Sequence, residues 1–347
     1  MAALLAVAMM LQMLPMLAFA EDATGTGKPV AWNENKGNKG YTTLKEAVDE
    51  AKSGETIILG EGSYTLYKSD SKTKGKDLTF VGQGPDKTIW QIGPTVPNPA
   101  LFGTEYNSDY SFDGAGKITF KNMKLCTGKA DYLGFTRPDR TVVENCEIYG
   151  KTFYWGYTSA VFTDTTFYAP PFDYAIWTYS SPAMEFDNCT FNTTGKAVNV
   201  YTDYSAGKHD IRVYFNNCTV NSSFSLGKQA LTINDSNMRP YKYIIYINNI
   251  DNPQTIDADL DKTTCSRMFG FGGKAATNNT GHTDVYLDGD LIWTNGKIKT
   301  HSYTVGEKED AYEITGRSDW TPSVERVDEC EVTKTCKYCG WTKKELE

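Results

Sequence analysis

Phe120-Lys121-Asn122-Met123-Lys124-Leu125 decides the fold, because the chain writes the same pattern four more times. The copies are Val143-Glu144-Asn145-Cys146-Glu147-Ile148, Phe162-Thr163-Asp164-Thr165-Thr166-Phe167, Phe186-Asp187-Asn188-Cys189-Thr190-Phe191 and Phe215-Asn216-Asn217-Cys218-Thr219-Val220. Each reads apolar, any, Asn or Asp, small or apolar, any, apolar. A weaker copy, Ile247-Asn248-Asn249-Ile250, follows. Successive starts lie 23, 19, 24, 29 and 32 residues apart, which is the period of a solenoid with loops of variable length.

Two short strands meeting at a bend account for these residue types. The third position must pass through a left-handed conformation, and Asn and Asp tolerate that with little strain. Alternation along each strand sends positions one, four and six inward and positions two and five outward. The inward columns are Phe/Val/Phe/Phe/Phe, Met/Cys/Thr/Cys/Cys and Leu/Ile/Phe/Phe/Val, as a stacked core requires. The outward columns set Lys121 beside Glu144 and Lys124 beside Glu147, then run into Thr, Asp and Asn, combinations that laterally paired strands favour.

N-terminal to the repeats, Thr43-Leu44-Lys45-Glu46 reads as a capping box, and Leu44, Ala47, Val48 and Ala51 share one helical face with Gly54 placed to end it. Short β runs follow at 56–59, 64–66, 78–81 and 88–92. At the N-terminus, 1–20 is almost wholly apolar and closes with Ala18-Phe19-Ala20, the small-x-small pattern of a secretory signal. The 35 Lys and Arg against 43 Asp and Glu give a net charge of −8, with no basic run, which excludes a typical nucleic-acid binder. Aromatics at 13%, with 22 Tyr and 30 Gly, point to a β-rich extracellular chain. No later stretch is apolar enough to span a membrane, so the mature protein is expected to be soluble, monomeric, and secreted or displayed at the cell surface.

The entry segment, with Thr56-Ile57-Ile58-Leu59-Gly60-Glu61-Gly62-Ser63-Tyr64 and Leu78-Thr79-Phe80-Val81-Gly82-Gln83-Gly84-Pro85-Asp86-Lys87-Thr88, resembles the first rungs of the pectin-lyase-like right-handed parallel β-helix superfamily over residues 40 to 295. The resemblance implies an all-β fold: a right-handed parallel β-helix over 21–297 with an N-terminal capping helix. Activity does not follow from it, because the superfamily holds lyases, esterases, hydrolases and non-catalytic surface proteins. A pectate-type lyase would use Ca²⁺ held by carboxylates and an Arg base. The nearest candidates are Arg137, Asp139 and Arg140, with Glu144, but the family spacing is not reproduced. Glycosidases of the superfamily carry a His-Gly signature, whereas His209 precedes Asp210 and His282 precedes Thr283.

From residue 298 the chain becomes more charged and loses the Asn bends. It resembles the small Cys/His modules of surface proteins from anaerobic Gram-positive bacteria, ending in Cys336-Lys337-Tyr338-Cys339-Gly340. His301, Cys330, Cys336 and Cys339 form a set of the type tetrahedral zinc takes, with one disulfide or free thiols as the other readings. The zinc would be structural, stapling a segment with little core. Cys146, Cys189 and Cys218 fall at the inward fourth position and are expected to be reduced core residues.

An aromatic run supplies the binding candidates: Tyr154, Trp155, Tyr157, Tyr174, Trp177 and Tyr179, with Tyr168 and Phe172 among them. Those that cannot point inward would form a platform with polar tips, suited to stacking on sugar rings. The function expected is non-catalytic attachment to extracellular polysaccharide or a host surface glycan. The alternatives are a polysaccharide lyase or glycoside hydrolase acting on plant or mucosal glycans, and a structural surface spacer without a ligand.

Overall fold

At the third position of every repeat the backbone turns left-handed: φ is 54° at Asn122, 50° at Asn145, 49° at Asp164, 53° at Asn188, 53° at Asn217 and 48° at Asn249. A computed structural model of the chain describes residues 28–66, 72–92, 112, 114–127, 134–135, 138–149, 152–153, 156, 158–168, 176–179, 183–192, 198–201, 210–220, 231–233, 242–249, 269–271, 283–294, 297–298, 312–317, 331–336 and 342–346. The leader at 1–20 lies outside these residues. Among them no helix is long and apolar enough to cross a membrane.

Strands on the two sides of each bend enter different sheets. Arg140–Glu144, for example, belongs to a 13-stranded sheet, Glu147–Tyr149 to a 7-stranded sheet and Thr152–Phe153 to a 6-stranded sheet. The next circuit repeats the order with Ser159–Thr163, Thr166–Tyr168 and Ile176–Tyr179, each parallel to its predecessor. Ala183–Asp187, Thr190–Asn192 and Val198–Tyr201 follow in the same rotation. The chain is therefore all-β with long parallel sheets, visited in turn.

The bend leaves few backbone groups without partners. Bend-residue amides donate to the second-position carbonyl of the next repeat, Asn145 to Thr163, Asp164 to Asp187, Asn188 to Asn216 and Asn217 to Asn248, at 2.8–3.0 Å, while the Asn249 amide donates to the Asp288 carboxylate at 2.7 Å. Fourth-position carbonyls accept in the same way, Cys146 from Thr166 and Cys189 from Thr219. Side-chain amides form a second ladder, Asn145 donating to Asn122 and Asn249 to Asn217, each at 2.8 Å. Polar groups of the turn paired in this manner find partners within the chain, although the bend side chains from Asn145 onward are themselves exposed.

Burial follows the columns read from the sequence. Phe120, Val143, Phe162, Phe186 and Phe215 at position one are wholly buried, as are Leu125, Ile148, Phe167 and Phe191 at position six. Phe162, Phe186 and Phe215 stack 5.1 Å apart within 15° of parallel, while Phe162 meets Phe167 and Phe186 meets Phe191 edge to face. This gives stacked contacts along each column and T-shaped contacts between columns, both favoured by the ring quadrupole.

Position four has a specific duty. The Cys146, Cys189 and Cys218 thiols donate to the carbonyl two residues earlier, at 3.3, 3.5 and 3.4 Å, and approach the position-one carbonyl of the preceding repeat. Thr165 makes the same local bond through its hydroxyl, to Thr163 at 2.9 Å. In the four repeats with Cys or Thr here one small donor bonds back to the bend, whereas Met123 of the first repeat fills the position as a fully buried apolar side chain. All three cysteines are free thiols.

Both ends of the long sheet change direction. Ala31–Asn33 pairs antiparallel with Glu55–Leu59 on one side and Lys39–Tyr41 on the other. At the far end Thr283–Leu287 turns through Asp288-Gly289, both at positive φ, into antiparallel Asp290–Thr294 and then Lys297–Ile298. The helix, α1, spans Leu44–Glu50 with Thr43 capping it, its hydroxyl accepting from the Glu46 amide at 3.2 Å. It ends at Glu50, not at Gly54: Ala51 is already extended, and Gly54 serves the following turn, donating to Asp77. The C-terminal segment forms a separate antiparallel sheet of Tyr312–Arg317, Glu331–Cys336 and Thr342–Leu346, which no pattern in the sequence signalled.

Candidate functional site

The lyase candidates are split between two ends of one strand. Asp139 and Arg140 stand at the start of Arg140–Glu144, their charged groups 3.7 Å apart and half exposed, and Asp139 also accepts from the Thr158 hydroxyl. Glu144 stands four residues on, about 13 Å away by strand rise. It pairs instead with Lys121 of the preceding strand at 2.5 Å. Register puts Thr163 between Glu144 and Asp187, so those carboxylates are two strands apart. Arg137 lies outside the described residues.

The aromatic platform is described only in part. Tyr154, Trp155, Tyr157 and Tyr174 lie outside the described residues. Trp177 and Tyr179 belong to Ile176–Tyr179, with Trp177 opposite Phe153 and Asn199, and Tyr179 opposite Tyr201. Of the same run, Tyr168 stacks on Tyr149 at 4.4 Å and 13°. The Lys124 ammonium sits 4.9 Å above the Tyr149 ring, and the Tyr149 hydroxyl donates to Glu147 at 3.0 Å. Burial, reinforced by the Glu147 charge, pushes the Tyr149 phenol well above its ordinary range.

In the tail, His301, Cys330 and Cys339 lie outside the described residues. Cys336 ends the strand Glu331–Cys336, its backbone opposite Tyr312. Among the described residues no three His, Cys, Asp or Glu side chains gather in a group able to hold a metal ion.

A feature the sequence reading missed lies on the outer face of the long sheet. Tyr214, Tyr246 and Tyr286 occupy one register position on three successive strands, Ile211–Asn216, Tyr243–Asn248 and Thr283–Leu287. Their rings stack at 4.6 Å and 4°, then 5.1 Å and 17°. All three are half-buried, between the inward residues of their strands. Tyr214 and Tyr246 each stand one residue before the apolar residue that opens a repeat, and only register adds Tyr286 to the column. Two residues along, Asn216 and Asn248 form a parallel row, Asn248 donating to Asn216 at 2.8 Å. The Asn216 amide approaches Glu185 at 3.4 Å, the residue aligned with Tyr214 on the preceding strand.

Because the rings cover one another's faces, the row presents phenol edges and hydroxyls, repeated at the strand spacing of about 4.8 Å. Each hydroxyl can donate and accept, and so can each free edge of the amide row. The row is bordered by two ion pairs, Arg212 with Asp210 at 3.4 Å and Lys242 with Asp284 at 2.6 Å. Burial lifts the Tyr214 phenol above its usual value, with Tyr246 adding to the shift. No protein-family model and no curated protein matches the chain.

Proposed function

We propose that the protein is a right-handed parallel β-helix of the pectin-lyase-like kind, exported from the cell, that binds extracellular carbohydrate without cleaving it. The rotation of the chain through three parallel sheets supports the β-helix, and the near-universal right-handedness of parallel crossovers supports its hand. The apolar leader ending at Ala20 supports export. The helical domain would run over 21–297 and the Cys/His module over 298–347.

The observation that carries the binding reading is the paired row of Tyr214, Tyr246 and Tyr286 beside Asn216 and Asn248. A flat strip of repeated hydroxyls and amides suits a polymer of sugar rings, whose own repeat is close to the strand spacing. The engagement of Asp139 with Arg140, and of Glu144 with Lys121, favours a surface charge ladder over a cleavage centre. The test incubates the purified chain with Ca²⁺ and a panel of polyuronates, neutral plant polysaccharides and mucin glycans. Mass spectrometry scores cleavage and pull-down scores retention. Retention without products is the expected result. Products from any member would overturn the non-catalytic reading and direct mutagenesis to Arg137, Arg140 and Glu144, and neither signal would leave the surface spacer as the better account.

For the tail, we propose structural zinc on His301, Cys330, Cys336 and Cys339. Metal analysis of the purified chain should find zinc at about one ion per chain, lost in Cys336→Ser. A chain that carries no zinc, with thiols that titrate freely, would contradict it.

A further inference from the structure

The polar balance around the tyrosine row specifies the class of ligand, given the carbohydrate-binding reading on which this inference rests. Two cations border the row among the described residues, and both are already engaged. Arg212 lies against Asp210 at 3.4 Å. Lys242 lies against Asp284 at 2.6 Å, and the Thr294 hydroxyl holds the second oxygen of that carboxylate at 2.6 Å. Asp210 is also occupied, accepting the Lys242 backbone amide at 3.0 Å. Glu185 stands at the open end of the row with the Asn216 amide as its contact, and Asp187 follows it on the same face, two residues on.

A polyuronate or sulfated glycan brought along this strip would meet no unengaged cation among these residues. It would meet Glu185 and Asp187 directly, on a chain of net charge −8. Pulling Arg212 or Lys242 away to receive a carboxylate would leave Asp210 or Asp284 without its partner. Asp284 is almost fully buried, so that loss would cost most there. The remaining groups, three phenols and two amides, are uncharged and both donate and accept. We infer that the row Tyr214, Tyr246 and Tyr286 with Asn216 and Asn248 is a binding strip for a neutral, hydroxyl-rich polysaccharide lying across the strands, one sugar ring to each strand.

The test uses the full chain and neutral hexasaccharides of glucose and of mannose, against hexagalacturonate and a sulfated mucin glycan, at low and high salt. The variants are the single and triple replacements Tyr214→Phe, Tyr246→Phe and Tyr286→Phe, which keep the ring stack and remove only hydroxyls. Circular dichroism checks that the fold is unchanged. The expected result is retention of a neutral hexasaccharide with little salt dependence, weakened about three- to tenfold for each hydroxyl removed. Preference for hexagalacturonate or the sulfated glycan, falling steeply with salt, would overturn the ligand class while leaving carbohydrate binding intact. Neutral binding untouched by the Phe variants would overturn the location. Retention of none of the four would remove the carbohydrate-binding reading itself.

Discussion

Asn188 shows what the bend asks of a single residue. Its φ of 53° is a conformation that costs an ordinary L-residue about 1–2 kcal/mol, and its side-chain amide also donates to Asp164 of the preceding repeat. Asn188→Ala should lose both contributions and Asn188→Gly only the second, so urea unfolding should rank wild type above Gly and Gly above Ala. Equal losses in the two variants would mean that left-handed geometry is not what selects Asn there. Position four makes a second prediction. Cys189→Thr should be tolerated better than Cys189→Ala, since Thr165 already fills that position with the same hydrogen bond to the bend. Burial also pushes the Cys146 thiol up to about 12 from an ordinary value of 9.0. The folded state then keeps a proton that the unfolded state releases between those values, so stability falls as pH rises from about 9 toward 12. Cys146→Thr should flatten that alkaline decline, read as unfolding midpoints across the pH range, and an unchanged slope would show that another group causes it. These residue-scale features were legible in the sequence, because bend and column chemistry recur at fixed offsets within each repeat.

At the scale of the element, α1 and the ring columns depend on tertiary packing for their stability. Seven residues are too few for a stable helix in isolation, so α1 depends on Leu44, Ala47 and Val48 packing inward and on its Thr43 cap. Thr43→Ala should cost about 1 kcal/mol in thermal or urea unfolding. Phe186 lies between Phe162 and Phe215 in the stacked column and meets Phe167 and Phe191 edge on. Phe186→Ala should cost about 3–5 kcal/mol, far more than any change on the outward Thr column. A smaller loss would mean that the column can collapse around the gap. Elements outside the repeat were less legible, each for a physical reason. Strands of the 6-stranded sheet are two to four residues long and follow loops of varying length, so no fixed spacing marks them. The Asp288-Gly289 hairpin carries a sequence signal in its Asp-Gly pair between alternating residues, but Leu287-Asp288 also fits the start of a bend, so type alone does not separate the two. Gly54, conversely, has the residue type of a helix stop, but Ala51 leaves the helix three residues earlier.

On the scale of the molecule, a stack of parallel strands would expose hydrogen-bonding edges at both ends. The antiparallel pairs at Lys39–Tyr41 and Lys297–Ile298 close the long sheet there. Truncation after residue 282 would bare Tyr243–Asn248, and that chain should self-associate in light scattering more than the intact chain does. A monodisperse truncated chain would show that the terminal strands have no such role. The site was the least legible part of the molecule. Tyr214, Tyr246 and Tyr286 are 32 and 40 residues apart in sequence, and only register brings them into one row. The proposed carbohydrate-binding face is that row, and hydroxyl-radical footprinting reads it most directly, as oxidation of individual tyrosines with and without a neutral hexasaccharide. Oxidation of Tyr214, Tyr246 and Tyr286 should fall on saturation with sugar while Tyr149 and Tyr168 keep their rates. Unchanged rates at the three, with protection at Trp155 and Trp177 or at no aromatic residue, would contradict it.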